Sequence, residues 1–192
     1  VLAAVVLAAA SGGLRRISAI SEKLIPVLSA VFILGCFAVI IANIRNFVPC
    51  VKLIVREAFT VRAVSGFGMA KAMRYGISRG VFSNEAGLGS SAIIHSSARC
   101  GNPAEQGMWG ILEVFIDTVL MCTVTAAALL MSGVWQSDPS LNGVEFCSAA
   151  FSSVFGAAGG YFLSGCISLF ALATLVAWSY YGSRGAAYLF GE

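Results

Sequence analysis

Polar side chains and glycines interrupt an otherwise apolar sequence at residues 76–91, which read GISRGVFSNEAGLGSS. The segment holds four glycines together with Arg79, Asn84 and Glu85. Irregular backbone at membrane depth is tolerated only where protein buries it or where it lines a cavity, and ionisable groups there mark function by default. Solvated loops carry the same residue types. The segment is therefore either a loop or a broken transmembrane helix that lines a binding site.

Two carboxylates follow in the next apolar stretch. Glu113 and Asp117 are four residues apart and share one helix face, with Thr118 adjoining. A carboxylate inside a spanning helix must face other helices or water. We expect Asp117 to serve an ion pathway or to tie the helix to the polar segment. Glu113 is expected in the headgroup region.

A different chemistry is open to Ser91 and His95, which are also four residues apart. A serine activated by a histidine is a nucleophile, provided that an oxyanion hole and a route for water accompany it. The alternative function is therefore an intramembrane serine protease. A structural subunit without a ligand would leave the polar cluster unexplained.

The elements that must position these residues are membrane helices. The chain is 58% hydrophobic and 11% charged, compared with about 25% charged residues in soluble domains. Residues 24–44 are uncharged, and a helix of this length is long enough to cross the hydrocarbon core. The net charge of +3 is spread along the chain and supports no nucleic-acid partner. The six cysteines lack CxxC pairing and are interpreted as small hydrophobic residues.

The sequence predicts an all-α integral membrane protein in the lipid bilayer. The charged stretch at 11–23 is predicted to be a loop. The broken helix is predicted to have an outer half at 69–78, an unwound stretch at 80–87 and an inner half at 88–98. Because the chain starts and ends beside apolar runs, we expect it to be part of a longer membrane protein. The predicted elements are the end of a helix at 1–10, a helix at 24–44, an amphipathic surface helix at 47–60, the broken helix at 66–98, and helices at 108–133 and 159–182.

Four blocks of sequence carry a family resemblance: GGLRRISAISEKLIPVLSAVF, GISRGVFSNEAGLGSSAIIHSSA, PAEQGMWGILEVFIDTVLMCTVTA and ATLVAWSYYGSRGAAYLFG. In this order and spacing they resemble the alanine or glycine:cation symporter family. The resemblance implies a non-enzymatic, multi-pass protein of a bacterial plasma membrane. It implies symport of a small neutral amino acid, alanine or glycine, with Na⁺ as coupling ion and no other cofactor.

The resemblance also implies a fold of the leucine-transporter type. This fold has two inverted repeats of five helices, in which the first and sixth helices are unwound at mid-membrane. The chain would then cover the end of helix four and helices five to eight, with the first helix before Val1. The freed backbone groups of the sixth helix would hold an amino-acid zwitterion and a cation.

Site residues follow from that resemblance. Phe82 would close an apolar wall, while Ser83 and Asn84 would meet the substrate carboxylate. Alternatively, Phe82 faces lipid and Ser83 caps the inner half-helix. Arg79 and Glu85 are expected to form a structural ion pair across the break. The predicted substrate-binding residues are Gly80, Phe82, Ser83, Asn84, Gly87 and Trp178.

The cation is predicted to bind Thr174 on the last helix, with Asp117 as a second candidate. The resemblance implies that this helix gives hydroxyl oxygens to Na⁺. Ala173 stands where relatives often have a second hydroxyl, so one side-chain oxygen is missing. Trp178 either borders the substrate cavity or joins Tyr180 and Tyr181 in an interfacial aromatic belt.

Overall fold

The structure is a computed structural model that describes residues 13–60, 66–85, 87–138 and 140–191. Every regular element in these ranges is helical, so the described chain is all-α. The predicted helix end at 1–10 lies outside the described residues. The chain divides into two compact units. Unit 1 combines the described residues up to Gly35 with those from Cys147 onward, and unit 2 is Cys36–Phe146.

Eight helices make up the described residues, and three of them are long and apolar enough to cross a membrane. The three candidate spans are Lys23–Ala42, Pro103–Ser132 and Ala157–Phe190. In chain order the helices are α1 (Gly13–Ala42), α2 (Phe47–Ala58, after a 3₁₀ turn at Ile44–Asn46), α3 (Gly66–Ser83), α4 (Ser90–His95), α5 (Pro103–Ser132), α6 (Val134–Ser137), α7 (Gly143–Phe155) and α8 (Ala157–Phe190).

Helix α1 begins before the predicted start at residue 24. The stretch predicted as a loop at 11–23 is helical from Gly13 onward. The prediction was wrong there because it treated charge as a helix end. Leu, Arg, Ala, Glu and Lys all favour helix, and no glycine or proline separates Leu14 from Lys23. As a result, Pro26 lies inside the helix, where its ring removes one backbone hydrogen bond.

Helix α5 begins at the N-cap residue Asn102, which lies before the predicted start of the helix. The Asn102 side chain accepts a hydrogen bond from the Ala104 N–H at 2.9 Å, and Pro103 occupies the first turn. The helix therefore starts five residues before the predicted residue 108. It ends at Gly133, whose φ of +73° is the left-handed conformation typical of a helix C-terminus.

Within unit 2, helix α2 lies along the C-terminal half of α5. The Asn46 side-chain amide donates to the Met131 carbonyl at 2.9 Å, which fixes the start of α2 at the end of α5. Between the two helices lies a groove of about 430 Å³, lined mainly by apolar side chains that include Val51, Ile54 and Leu130. This contact holds α5 at one end while its other half faces α3 and α4.

Unit 1 is organised by stacked phenylalanines. The ring of Phe151 lies 6.1 Å from that of Phe32 and 5.7 Å from that of Phe162, measured between centroids. Such aromatic pairs stabilise a core beyond their buried area. The first turn of α8 packs so closely on α7 that residue 159 must be glycine, because a Cβ there would lie 2.5 Å from the Phe151 backbone carbonyl.

Candidate functional site

The helix break in unit 2 lies at residues 84–89, not at the predicted 80–87. Gly80, Phe82 and Ser83 belong to α3, and the Asn84 N–H still bonds to the Gly80 carbonyl at 3.1 Å. The predicted boundary was wrong because one glycine in a helix costs only about 1 kcal/mol. Gly80 therefore does not end the helix.

Left-handed backbone conformations end α3. Glu85, Gly87 and Gly89 have φ values of +49°, +81° and +76°. Glycine adopts this region freely, but a glutamate there is uncommon and is often held by its surroundings at a functional site. The Glu85 carboxylate accepts the Ser90 hydroxyl at 2.5 Å. This bond joins the end of α3 to the first residue of α4 and closes the break into a compact turn.

One face of α5 runs beside the broken helix. Gln106, Gly110, Glu113 and Asp117 are spaced by four, three and four residues, which places them on the same side of a helix. Asp117 contacts the end of α3, and Glu113 and Gln106 contact the end of α4. The two halves of the broken helix are therefore held by a single helix face.

At the break, two adjacent residues of α5 bond to two adjacent residues of the broken helix. The Ser83 hydroxyl donates to Asp117 Oδ2 at 2.6 Å. The Thr118 hydroxyl donates to Asn84 Oδ1 at 3.0 Å, and Asn84 Nδ2 donates back to the Gly80 carbonyl at 2.9 Å. The cluster brings together a carboxylate, two hydroxyls and an amide oxygen. Hard cations prefer such oxygen donors.

The backbone of α5 changes pitch at this cluster. Phe115–Met121 forms a π-helical segment that includes Asp117 and Thr118. The side chains of successive residues in an α-helix point about 100° apart. In this segment the side chains of both Asp117 and Thr118 nevertheless reach the broken helix. π-helical turns often occur at functional sites. No sequence pattern indicated this turn, although the adjacency of Asp117 and Thr118 was noted.

The sole histidine of the chain lies at the far end of the broken helix. His95 Nδ1 is 2.8 Å from Gln106 Nε2, and His95 Nε2 is 3.6 Å from Glu113 Oε2. A Cβ on Gly110 would lie 3.7 Å from Nε2, so the ring lies over the glycine backbone. Both ring nitrogens are thus directed at α5. Nothing in this geometry supports the protease that would pair His95 with Ser91.

The expected ion pair between Arg79 and Glu85 does not form among the described residues. His95 and Glu113 make the ion pair found within the described part of unit 2. Because residues up to Ser83 remain helical, Arg79 lies more than a turn before the break on an exposed side of α3. Glu85 is instead engaged by Ser90.

The remaining predicted site residues differ in their surroundings. Phe82 is 62% exposed, and no atom lies within 4 Å of a Cβ placed on Gly87. Thr174 and Trp178 belong to α8 in unit 1. The Thr174 hydroxyl donates to the Phe170 carbonyl at 3.0 Å, and the Trp178 ring centroid lies 6.5 Å from that of Tyr181. Six of the predicted residues (Gly80, Phe82, Ser83, Asn84, Gly87 and Asp117) fall in unit 2 at or beside the break.

A broken helix with polar groups facing a spanning helix is the kind of site that secondary transporters use. The sequence agrees with that class, because residues 1–192 match the sodium:alanine symporter family. The chain belongs to this family, and the resemblance noted from its motifs is confirmed.

Relatives of the chain are transporters from bacteria and archaea. The chain is 34% identical over 186 residues to the uncharacterized transporter YflA of Bacillus subtilis (strain 168), covering 94% of the chain and 40% of the relative. It is 34% identical over 178 residues to the probable sodium/glutamine symporter GlnT of the same organism, covering 93% and 37%. It is 32% identical over 193 residues to the sodium/alanine symporter AgcS of Methanococcus maripaludis, covering 100% and 42%. The chain thus spans about two fifths of their length.

Proposed function

We propose that the full-length protein is a sodium-coupled symporter that carries a small neutral amino acid, alanine or glycine, across the cytoplasmic membrane. The family match supports transport of this kind. The observation that carries the proposal is the break at residues 84–89, which is tied to a carboxylate on the neighbouring spanning helix. The proposed fold is of the leucine-transporter type, with α3 and α4 as its sixth helix and α5 as its seventh.

In this proposal the break binds the amino acid. The end of α3 and the turn after it bring backbone carbonyls and amides out of the helical ladder, and such groups suit a zwitterion. Ser83 and Asn84 take part as side chains that α5 holds in place through Asp117 and Thr118. Phe82, which is exposed in the described structure, supplies the apolar wall against a small side chain.

Two separate sodium sites are proposed, one at Asp117 on α5 and one at Thr174 on α8. Asp117 supplies a full negative charge. The Ser83 O–H donates to this carboxylate, and the lone pairs of the hydroxyl oxygen remain available to a cation. Thr174 is proposed as the second site. Its proton is directed to the Phe170 carbonyl, so its oxygen lone pairs remain available to a cation. Trp178, one turn further along α8, is proposed to border the substrate cavity.

Equilibrium binding to the purified full-length protein tests this proposal. Titration calorimetry would measure alanine affinity in sodium and in potassium, and sodium affinity with and without alanine. If the two sites are coupled, sodium must change the affinity for alanine by the same factor by which alanine changes the affinity for sodium. We expect sodium to tighten alanine binding and alanine to tighten sodium binding by that factor. Equal alanine affinity in sodium and potassium would contradict the proposed coupling.

A further inference from the structure

The recess around His95 offers a partner to each ring nitrogen. Gln106 meets Nδ1 at 2.8 Å and Glu113 meets Nε2 at 3.6 Å, while the ring lies over Gly110. His95 retains 27% of its exposure and Glu113 retains 72%. The ring is therefore contacted at both nitrogens and remains partly exposed in the described chain.

The same recess can hold the ring in both protonation states. When Gln106 donates through Nε2, Nδ1 accepts and the proton of the neutral ring is on Nε2, facing Glu113. Histidine changes charge near neutral pH, and both nitrogens then donate. The Gln106 amide can turn to present its oxygen to a protonated Nδ1. In that tautomer the added proton enters on Nδ1, and Nε2–H faces the carboxylate in both protonation states.

Glu113 is the ionisable group that reaches the ring within ion-pair distance among the described residues. The other charged residues near this cluster along the chain are Arg99, after α4, Glu105, in the first turn of α5, and Asp117, four residues after Glu113. Arg99 and Glu105 have exposed side chains, and the Asp117 carboxylate accepts the Ser83 hydroxyl. A positive ring therefore gains an attraction to Glu113 that the neutral ring lacks.

This contact lies at the end of a short helix whose position depends on contacts of this kind. Helix α4 has six residues and is joined to α3 through the left-handed turn at Glu85, Gly87 and Gly89. Six residues make less than two helical turns, so the position of α4 depends on its contacts with other helices. His95, at the C-terminal end of α4, provides such contacts with α5.

We infer that His95 and Glu113 form a proton-binding site that fastens α4 to α5. The inference rests on the proposed transport function, in which groups of helices rock or gate against one another during alternating access. Proton binding strengthens the contact between α4 and α5 and so slows the transport cycle. In this inference the bound proton acts as an inhibitor of the cycle.

The first test measures initial alanine uptake by the full-length protein in liposomes with a fixed sodium gradient. The pH is equal on both sides and is set to about 5.5 or about 8, on either side of the ordinary histidine range. We expect the wild-type rate to be about two- to fivefold lower at the acid pH, the range for a part-exposed ion pair. His95→Gln should have equal rates at the two pH values, and Glu113→Gln a reduced difference. The matched control, Glu105→Gln, should behave like wild type.

The second test measures amide hydrogen exchange in residues 90–95, corrected for the intrinsic pH dependence of exchange. It needs no transported substrate, so it decides the inference even if alanine is not carried or a variant fails to transport. We expect greater protection at the acid pH in wild type and no such change in His95→Gln. Equal protection at both pH values in wild type, or a pH-dependent change that persists in His95→Gln, would overturn the inference.

Discussion

The Ser83 hydroxyl donates to the Asp117 carboxylate across 2.6 Å, which joins the last residue of α3 to the π-helical segment of α5. A hydrogen bond to a charged acceptor is about twice as strong as one between neutral groups. The bond therefore couples the helix break to the carboxylate. A ligand that changes one of them must affect the other.

Replacing Asp117 by Asn tests the proposed cation ligand. Asn keeps the shape and an oxygen for Ser83 but removes the charge. Loss of an interaction with a charged group costs about 1.5–3 kcal/mol, or roughly 10- to 150-fold in affinity. We expect the sodium concentration for half-maximal uptake to rise by about that factor. Ser83→Ala should produce a smaller rise in the same direction. A wild-type sodium dependence in Asp117→Asn would remove Asp117 from the cation site.

A double-mutant cycle tests whether Asn84 acts through its bond to Thr118. Asn84→Ala removes the acceptor, and Thr118→Val removes the donor while keeping the shape. Each change should lower alanine affinity. The double mutant should lose less than the sum of the two, with an interaction energy of about 1 kcal/mol. Additive losses in binding free energy, measured by calorimetry, would show that the two side chains act independently.

Two glycines of the same segment give a matched test of where the helix breaks. Gly87 has a φ of +81°, so Gly87→Ala should destabilise the protein by about 1–2 kcal/mol. Gly80 is helical and a Cβ there meets no atom within 4 Å, so Gly80→Ala should be neutral or stabilising by up to about 1 kcal/mol. Thermal unfolding of the full-length protein in detergent measures both. Equal melting temperatures for the two variants would contradict a break at 84–89.

The glycines predicted a broken helix, but the predicted start of the break, at residue 80, is four residues before the observed start at residue 84. Both Gly80 and Gly87 are compatible with an unwound segment. The two glycines differ in whether the helical backbone hydrogen bonds continue past them. They continue past Gly80, whose carbonyl accepts the Asn84 N–H. The position of the break depends on bonds such as those from Thr118 and Ser90, which lie outside the predicted unwound stretch at 80–87.

The spacing of Glu113 and Asp117 correctly suggested a tie between α5 and the polar segment. The same four-residue register extends to Gln106 and Gly110, and it could have marked the His95 contact as well. The sequence around His95 does not show which residues it contacts, because its partners are 11 and 18 residues away along the chain. Only the folded arrangement of α4 and α5 brings them together.

Two substitutions of Thr174 separate cation binding from packing. Thr174→Val keeps the shape and removes the oxygen, whereas Thr174→Ser keeps the oxygen and removes a methyl group. If Thr174 is a ligand, valine should raise the sodium concentration for half-maximal uptake much more than serine. The bond from Thr174 to the Phe170 carbonyl is also a common feature of helical threonines. Equal sodium dependence in the two variants would assign Thr174 to helix packing.

The central claim is most directly tested by measuring concentrative uptake of labelled alanine into liposomes that contain the full-length protein. An inward sodium gradient should drive alanine above its external concentration. The accumulation should collapse when potassium replaces sodium or when a sodium ionophore is added, and excess glycine should compete with alanine. Accumulation that is unchanged in potassium, or the absence of alanine uptake by protein that binds and moves another solute, would contradict the account.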